Sequence, residues 1–358
     1  MAEFVDKSQI TLENIDKILE LSNSFEEGMG GPRGPISAVS PELLLINYIS
    51  HGESDKAVAL FEDEKQFNHE KSAIDAPTGR YEGLAEIRYF AENWRKYVLA
   101  EFAWVTPLLQ TVGGGRSCTE LVVNFKIKGR DKILKVPMAV VGDIRPHNKL
   151  EEVRIYFYYA WFPGTIPYRP RQWKPLYDAA ADHNQLIGAV KEYFETLQSP
   201  ELPFDRWTKV FGKEMQHAGY RPMDDKGTPE HVKEELAEGV SGFLRMFKKS
   251  LGVMPYHNIL RVMHSIEDGR TGVIEWISIG MPEEWRLENL AALEEKFKDD
   301  PEAGSLGFRI PCQWDDRSWQ SGFAAYEKDE DGLIIALRIC DYYGAEYSID
   351  LKDTPIRW

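Results

Sequence analysis

One passage of this chain occurs twice, and that repetition limits the fold more than any other feature. Val136 to Trp161 (VPMAVVGDIRPHNKLEEVRIYFYYAW) reads as two long strands joined by a turn, and Gly322 to Tyr343 (GFAAYEKDEDGLIIALRICDYY) repeats the pattern. In each copy an apolar strand enters a polar connection, Asp143 to Lys149 or Lys328 to Gly332, and a second strand follows with period-two alternation. The echo of RIYFYY in RICDYY fixes the register, and in a strand a slip of one residue exchanges the two faces. Val153, Ile155, Phe157 and Tyr159 therefore share a face in the first copy, and Leu337, Ile339, Asp341 and Tyr343 share it in the second. A carboxylate stands in the second copy where the first has an aromatic ring.

A chain of 358 residues, 43% hydrophobic and 12% aromatic, has material for two cores of ordinary size. Its apolar runs are too short to span a bilayer, and the opening MAEFVDKSQ has no signal-peptide pattern, so a cytoplasmic location without membrane contact is expected. Cys118, Cys312 and Cys340 lie far apart with no CxxC or Cys/His spacing, which points to buried thiols and no metal. A net charge of -15 with no basic stripe argues against nucleic acid as a partner.

The chain opens with a helical pattern at Thr11–Phe25 and a Gly/Pro-rich arm at Gly28–Pro35, together residues 1–36. Ser40-Pro41-Glu42 then marks a helix start, with the serine as cap and proline at the first helical position. A short helix follows at Asp55–Phe61, then KQFNHEKSAID as strand and loop, a turn at Gly79–Gly83, and an amphipathic helix at Leu84–Leu99. That helix aligns Ile87, Phe90, Trp94 and Tyr97. The strands EFAWVTPLLQTV and CTELVVNFKI, joined at Gly113–Gly115, complete a meander to Trp161. Helices followed by a meander predict an α+β domain at 37–162, its helices on one face of a mostly antiparallel sheet.

Pro-rich residues 163–181 read as a linker, and the same order returns in 182–358. Asn184–Leu197 is helical, DRWTKVF parallels DKAVALF, KEMQH parallels KQFNH, and a helix at Pro229–Lys249 precedes the strands HNILRVMHSI and TGVIEWISIG. An amphipathic helix within 283–300 (Trp285–Asp299) has no counterpart in the first half and is an insertion.

The helix pair, the Gly79-Arg80-Tyr81-Glu82-Gly83 turn, the helix AEIRYFAENW and the strand KLEEVRIY together resemble the SnoaL-like branch of the NTF2-like superfamily, which includes ketosteroid isomerases and polyketide cyclases. The resemblance covers residues 37–162 and, more loosely, 182–351. It implies two tandem cone-shaped α+β barrels, each with a pocket between sheet and helices, and an intramolecular pseudo-dimer able to form a further homodimer. The chemistry it implies is cofactor-independent proton transfer next to a carbonyl, because an apolar pocket raises a carboxyl pKa and strengthens a hydrogen bond to an enolate.

Carried onto this sequence, the family's site falls near His69 in the first half and His217 in the second, with Asp341 at the last-strand carboxylate. Asp341 is the leading candidate, since a charge on the face of Leu337 and Ile339 is costly without a function or a partner. His217 and His69 are candidate bases near neutral pH. Tyr343, Tyr193, His264, Glu275 and Trp276 are candidate substrate contacts in the second half, with Tyr48, Glu120 and Asp75 their counterparts in the first. Phe157 at the carboxylate position, with Pro137 near another acid position, implies that the first half has lost its acid. No GxSxG, P-loop, GxGxxG or HExxH motif supports a rival chemistry. Two functions follow: a lyase, isomerase or cyclase acting on a small hydrophobic carbonyl compound, or a non-catalytic ligand-binding or scaffold protein of the same fold.

Overall fold

A computed structural model describes residues 40–61, 72–97, 99–129, 133–145, 148–157, 186–198, 203–219, 239–249, 259–279, 291–292, 295–300 and 319–341. The expected helix at Thr11–Phe25, the glycine-rich arm, the linker, His69, Cys312 and Tyr343 lie outside these residues. The chain divides into two compact units, with described residues 40–157 in one and 186–341 in the other.

In the first unit, helix α1 (Pro41–His51) begins where the sequence says it should: the Ser40 hydroxyl accepts the Leu43 N–H at 3.2 Å. It ends at Gly52, whose left-handed φ of 79° returns its N–H to the last carbonyls. The run PELLLINYIS is buried throughout, so α1 is a core helix with apolar side chains on all sides. A second helix, α2 (Ser54–Ala59), leads to a tight hairpin of β1 (Ala73–Ala76) and β2 (Gly79–Glu82). The expected turn at Gly79–Gly83 is thus a strand, and the chain reverses at Pro77-Thr78, where Ala76 pairs with Gly79. Proline there needs no ladder N–H, which is why the reversal comes earlier.

Helix α3 (Gly83–Tyr97) buries Ile87, Phe90 and Trp94 and turns Glu92 and Lys96 outward. Four long strands follow, β3 (Ala100–Gly113), β4 (Arg116–Ile127), β5 (Ile133–Arg145) and β6 (Lys149–Tyr156). The sheet order is β2-β1-β6-β5-β4-β3, antiparallel except where β1 runs parallel to β6. One sheet face carries Ile74, Val105, Leu121, Val123, Phe125, Met138, Val140, Val153 and Ile155 into a core shared with α1 and α3. The opposite face carries an ion network, with Asp143 held by Arg116 at 2.6 Å and Arg154 at 2.8 Å, and Glu152 gripped by both terminal nitrogens of Arg80 at 3.0 and 3.2 Å.

The second unit contains α4 (Gly188–Gln198), a 3-10 helix at Phe204–Lys209, β7 (Phe211–Gly219), α5 (Val240–Lys249), β8 (Ile259–Asp268), β9 (Thr271–Ile279), β10 (Trp319–Lys328) and β11 (Ile334–Asp341). DRWTKVF therefore forms a 3-10 turn where its parallel DKAVALF forms α-helix, and α5 lies within the expected Pro229–Lys249, of which residues 229–238 lie outside the described residues. Residues 291–292 and 295–297 of the insertion are helical, and Phe297 packs against the unit's core of Tyr193, Phe194, Trp207, Ile274, Trp276 and Leu337.

The two sheets agree in detail. The second is ordered β7-β11-β10-β9-β8, with β7 parallel to β11 as β1 is to β6. Each first meander strand shifts register at the matching point, Pro107/Leu109 opposite Glu120 and Val262/His264 opposite Glu275. The ion pair Arg154–Asp143 at 2.8 Å has its match in Arg338–Glu327 at 2.6 Å. One pair of positions differs in how it is filled. Ser117 pairs with Gly142, and the space above that glycine is taken by Glu42 from α1; Gly272 pairs with Tyr326, whose own ring covers it. Both units are mixed α+β, with helices against one sheet face.

Candidate functional site

In the second unit the strands set a row of neighbours across the core-facing side of the sheet. Gly322 on β10 pairs with Asp341 on β11 and with Trp276 on β9, and Trp276 pairs with Val262 on β8. Cross-strand partners share a face, so the register position of Asp341 is on the side of Ile274, Trp276, Ala324 and Leu337. The matching row of the first unit has Phe157, Met138, Leu121 and Pro107.

Glycine at 322 is required by its neighbour. A Cβ there would sit 2.2 Å from Cε2 and 2.4 Å from Nε1 of Trp276, so the indole lies flat on bare backbone with its nitrogen above the residue paired with Asp341. Phe194 meets Trp276 edge-on, with ring centroids 5.5 Å apart. Tyr193 on α4 is buried, stacked on Trp207 at 5.2 Å and edge-on to Phe211 at 5.7 Å. The row thus combines an acidic position with an amphipathic ring that covers a bare glycine and is flanked by other aromatic rings. By residue type it offers a proton acceptor at 341 and an N–H donor at Trp276.

His217 on β7 pairs with Leu337, four residues before Asp341 along β11. At the usual strand rise this separates the two rows by roughly 13 Å, more than a histidine and an aspartate can span with one hydrogen bond. Their register positions share a sheet face. His264 and Glu275 are directly paired positions at the register shift, and Glu275, buried, is one residue from Trp276 and so on the opposite face.

The first unit distributes its candidates differently. Phe157, at the position matching Asp341, is fully buried and meets Trp94 edge-on at 5.7 Å, while Trp94 also meets Phe90 at 5.5 Å and Phe125 at 6.1 Å. These rings fill the core of the first unit around the position that matches Asp341. Tyr48 is buried under the Lys56 ammonium, 5.6 Å from its ring. Glu120, Pro137 and Asp75 are on the face away from Leu121, Met138 and Ile74, and Asp75 is 3.8 Å from Arg80.

The residue that sequence reasoning missed is Glu42. Its side chain is wholly buried, one oxygen accepts the Ser117 hydroxyl, and the other has no hydrogen-bond partner. Ser40, next to it, shares a 2.6 Å hydrogen bond with Thr119. Burial pushes the Glu42 carboxyl up to about 7, helped by the nearby Asp143 charge and opposed by the hydrogen bonds from Ser117, Ser40 and its own backbone. As a first-turn acid behind a serine cap it reads as a solvated residue favouring the helix dipole. The signal against that reading was the apolar run on every side of α1, which leaves no wet face. Asn47, on the same helix, is also fully buried with neither amide atom hydrogen-bonded.

Among the described residues no cluster of His, Cys, Asp or Glu could hold a metal ion, and no helix is long and apolar enough to cross a membrane. Cys118 and Cys340 are buried thiols outside any disulfide.

No family model matches the chain, and no curated protein matches it. Among solved structures, it is similar to a protein of ketosteroid isomerase-like fold from Catenulispora acidiphila in complex with trimethylamine, at 17% identity over 33% of this chain and 86% of that one, TM-score 0.27. A putative polyketide cyclase from Sinorhizobium meliloti matches at 16% identity over 31% of this chain and 92% of that one, TM-score 0.24. An NTF2-like protein from Cytophaga hutchinsonii matches at 12% identity over 40% of this chain and 98% of that one, TM-score 0.24. These matches span 31–40% of the chain.

Proposed function

We propose that the chain is a tandem of two NTF2-like units in which the second carries a cofactor-independent acid–base site for a small, largely hydrophobic carbonyl compound, and the first is its scaffold. The observation that carries this reading is the row Asp341–Gly322–Trp276 on the core-facing side of the second sheet. Asp341 takes the proton from the carbon next to the carbonyl, and the apolar lining of Trp276, Ile339 and Leu337 strengthens it as a base. The Trp276 N–H donates to the oxygen as it becomes an enolate, and the proton returns at a second carbon or at that oxygen. His217, roughly 13 Å along the strand, addresses the far end of a substrate of two or more rings. Equivalent topology, the matched register shifts and the repeated Arg–carboxylate pair support the tandem.

The spacing of Asp341 and His217 favours one other reading, a binding module of the same fold that holds such a compound without turning it over. Incubation with a panel of aryl and steroid ketones in D2O, read by mass spectrometry, separates the two. Deuterium uptake that vanishes in Asp341→Asn with an unchanged thermal midpoint supports the enzyme. Binding without uptake supports the module, and uptake unaffected by Asp341→Asn removes the site assignment.

A further inference from the structure

Away from both sheet interiors, the end of α3 and the start of β3 enclose an open cleft of about 710 Å3, walled by Arg95, Lys96, Leu99 and Lys128. Leu99 takes a left-handed φ of 50° and its carbonyl accepts the Lys128 N–H at 3.0 Å, which turns the chain so that the half-exposed leucine side chain forms part of the wall. Arg95 is the unusual group. Its terminal nitrogen donates to the Glu101 carbonyl, its Nε is buried without a hydrogen-bond partner, and among the described residues no carboxylate forms an ion pair with it. Arg80, Arg116 and Arg154 of the same unit are each paired with one. A guanidinium on the wall of an open cleft, ion-paired with no described carboxylate in a chain of net charge -15, is a cation available to an anion.

We infer that this cleft binds a small organic monocarboxylate, its carboxylate on Arg95 with Lys128 beside it and its short hydrocarbon part against Leu99, Ala91 and Ala100. The charge balance selects the class. Arg95, Lys96 and Lys128 face Glu92 and Glu101, leaving one net positive charge, which suits a monoanion and disfavours a multiply charged phosphate. The site is independent of the acid–base row in the second unit.

Hexanoate serves as the probe, titrated into the full chain at low salt and followed by saturation-transfer NMR, with inorganic phosphate as competitor. Hexanoate should bind through its methylene protons, Arg95→Met should weaken it at least tenfold, and Lys128→Glu should weaken it several-fold with the circular dichroism spectrum unchanged. Phosphate should not displace it at equal concentration. Absence of hexanoate binding, binding indifferent to both substitutions, or displacement by equimolar phosphate overturns the assignment.

Discussion

Replacing Glu42 with glutamine tests the energetics of the first core, because it keeps the shape of the side chain and removes its ability to ionise. The folded carboxyl is held at about 7 against an ordinary value of 4.5, so ionising it inside the fold costs about 3 kcal/mol more than ionising it in the unfolded chain. The direction follows from which state holds the proton. Below 4.5 both states are protonated and the fold has its full stability; between 4.5 and about 7 the unfolded chain releases the proton first, so stability falls; above about 7 the loss is complete. Glutamine still accepts the Ser117 hydroxyl, but it puts an N–H2 group where the second oxygen has no partner, at about 1 kcal/mol. Glu42→Gln should therefore be about as stable as wild type at pH 5 and more stable by about 2 kcal/mol at pH 8. Urea unfolding at pH 5, 6, 7 and 8, followed by far-ultraviolet circular dichroism, gives both curves. Parallel pH dependence of the two proteins would refute the argument, as would a wild-type advantage that grows toward pH 8.

Three further outcomes are expected. Gly322→Ala forces the Trp276 ring off the strand and should destabilise the second unit by about 1–3 kcal/mol with a shift in tryptophan emission; an unaltered spectrum and midpoint would show that the ring has room. Phe157→Ala empties the aromatic cluster around Trp94 and should cost about 3–5 kcal/mol in urea unfolding, whereas a loss under 1 kcal/mol would mean the interior is already loose. Burial pushes the Glu152 carboxyl up, but Arg154 and Arg80 outweigh it and hold it below the ordinary carboxylate range; its contribution is present above pH 4.5 and lost as pH falls through the lowered value. Glu152→Gln should thus lower stability at pH 7 and flatten the acid limb below 4.5, and an acid limb identical to wild type would count against the network.

The elements that the sequence announced were those written in local chemistry. Ser40-Pro41 capped a helix, Ile87, Phe90 and Trp94 formed the stripe of another, and the two strand pairs appeared at the repeated passages. What periodicity could not supply was which strand lies beside which. The parallel pairing of β7 with β11 separates His217 from Asp341, and a register shift puts His264 opposite Glu275, one face away from Trp276. Neither follows from alternation within a single strand, because both are properties of pairing between segments far apart in the chain. Glu42 escaped for a related reason: its burial is imposed by Ser117 and Gly142, about 75 and 100 residues downstream.

The glycine that faces Glu42 and the one that faces Tyr326 sit on opposite members of matching strand pairs, so one half of the chain fills its hollow from a helix and the other from the sheet itself. The helix-borne plug can ionise near neutrality. The phenol, with burial and then its 2.5 Å bond to Glu267 pushing its pKa up, stays neutral far into the alkaline range. Mild alkalinity is then a handle that loosens residues 40–157 while leaving this plug of the other half untouched.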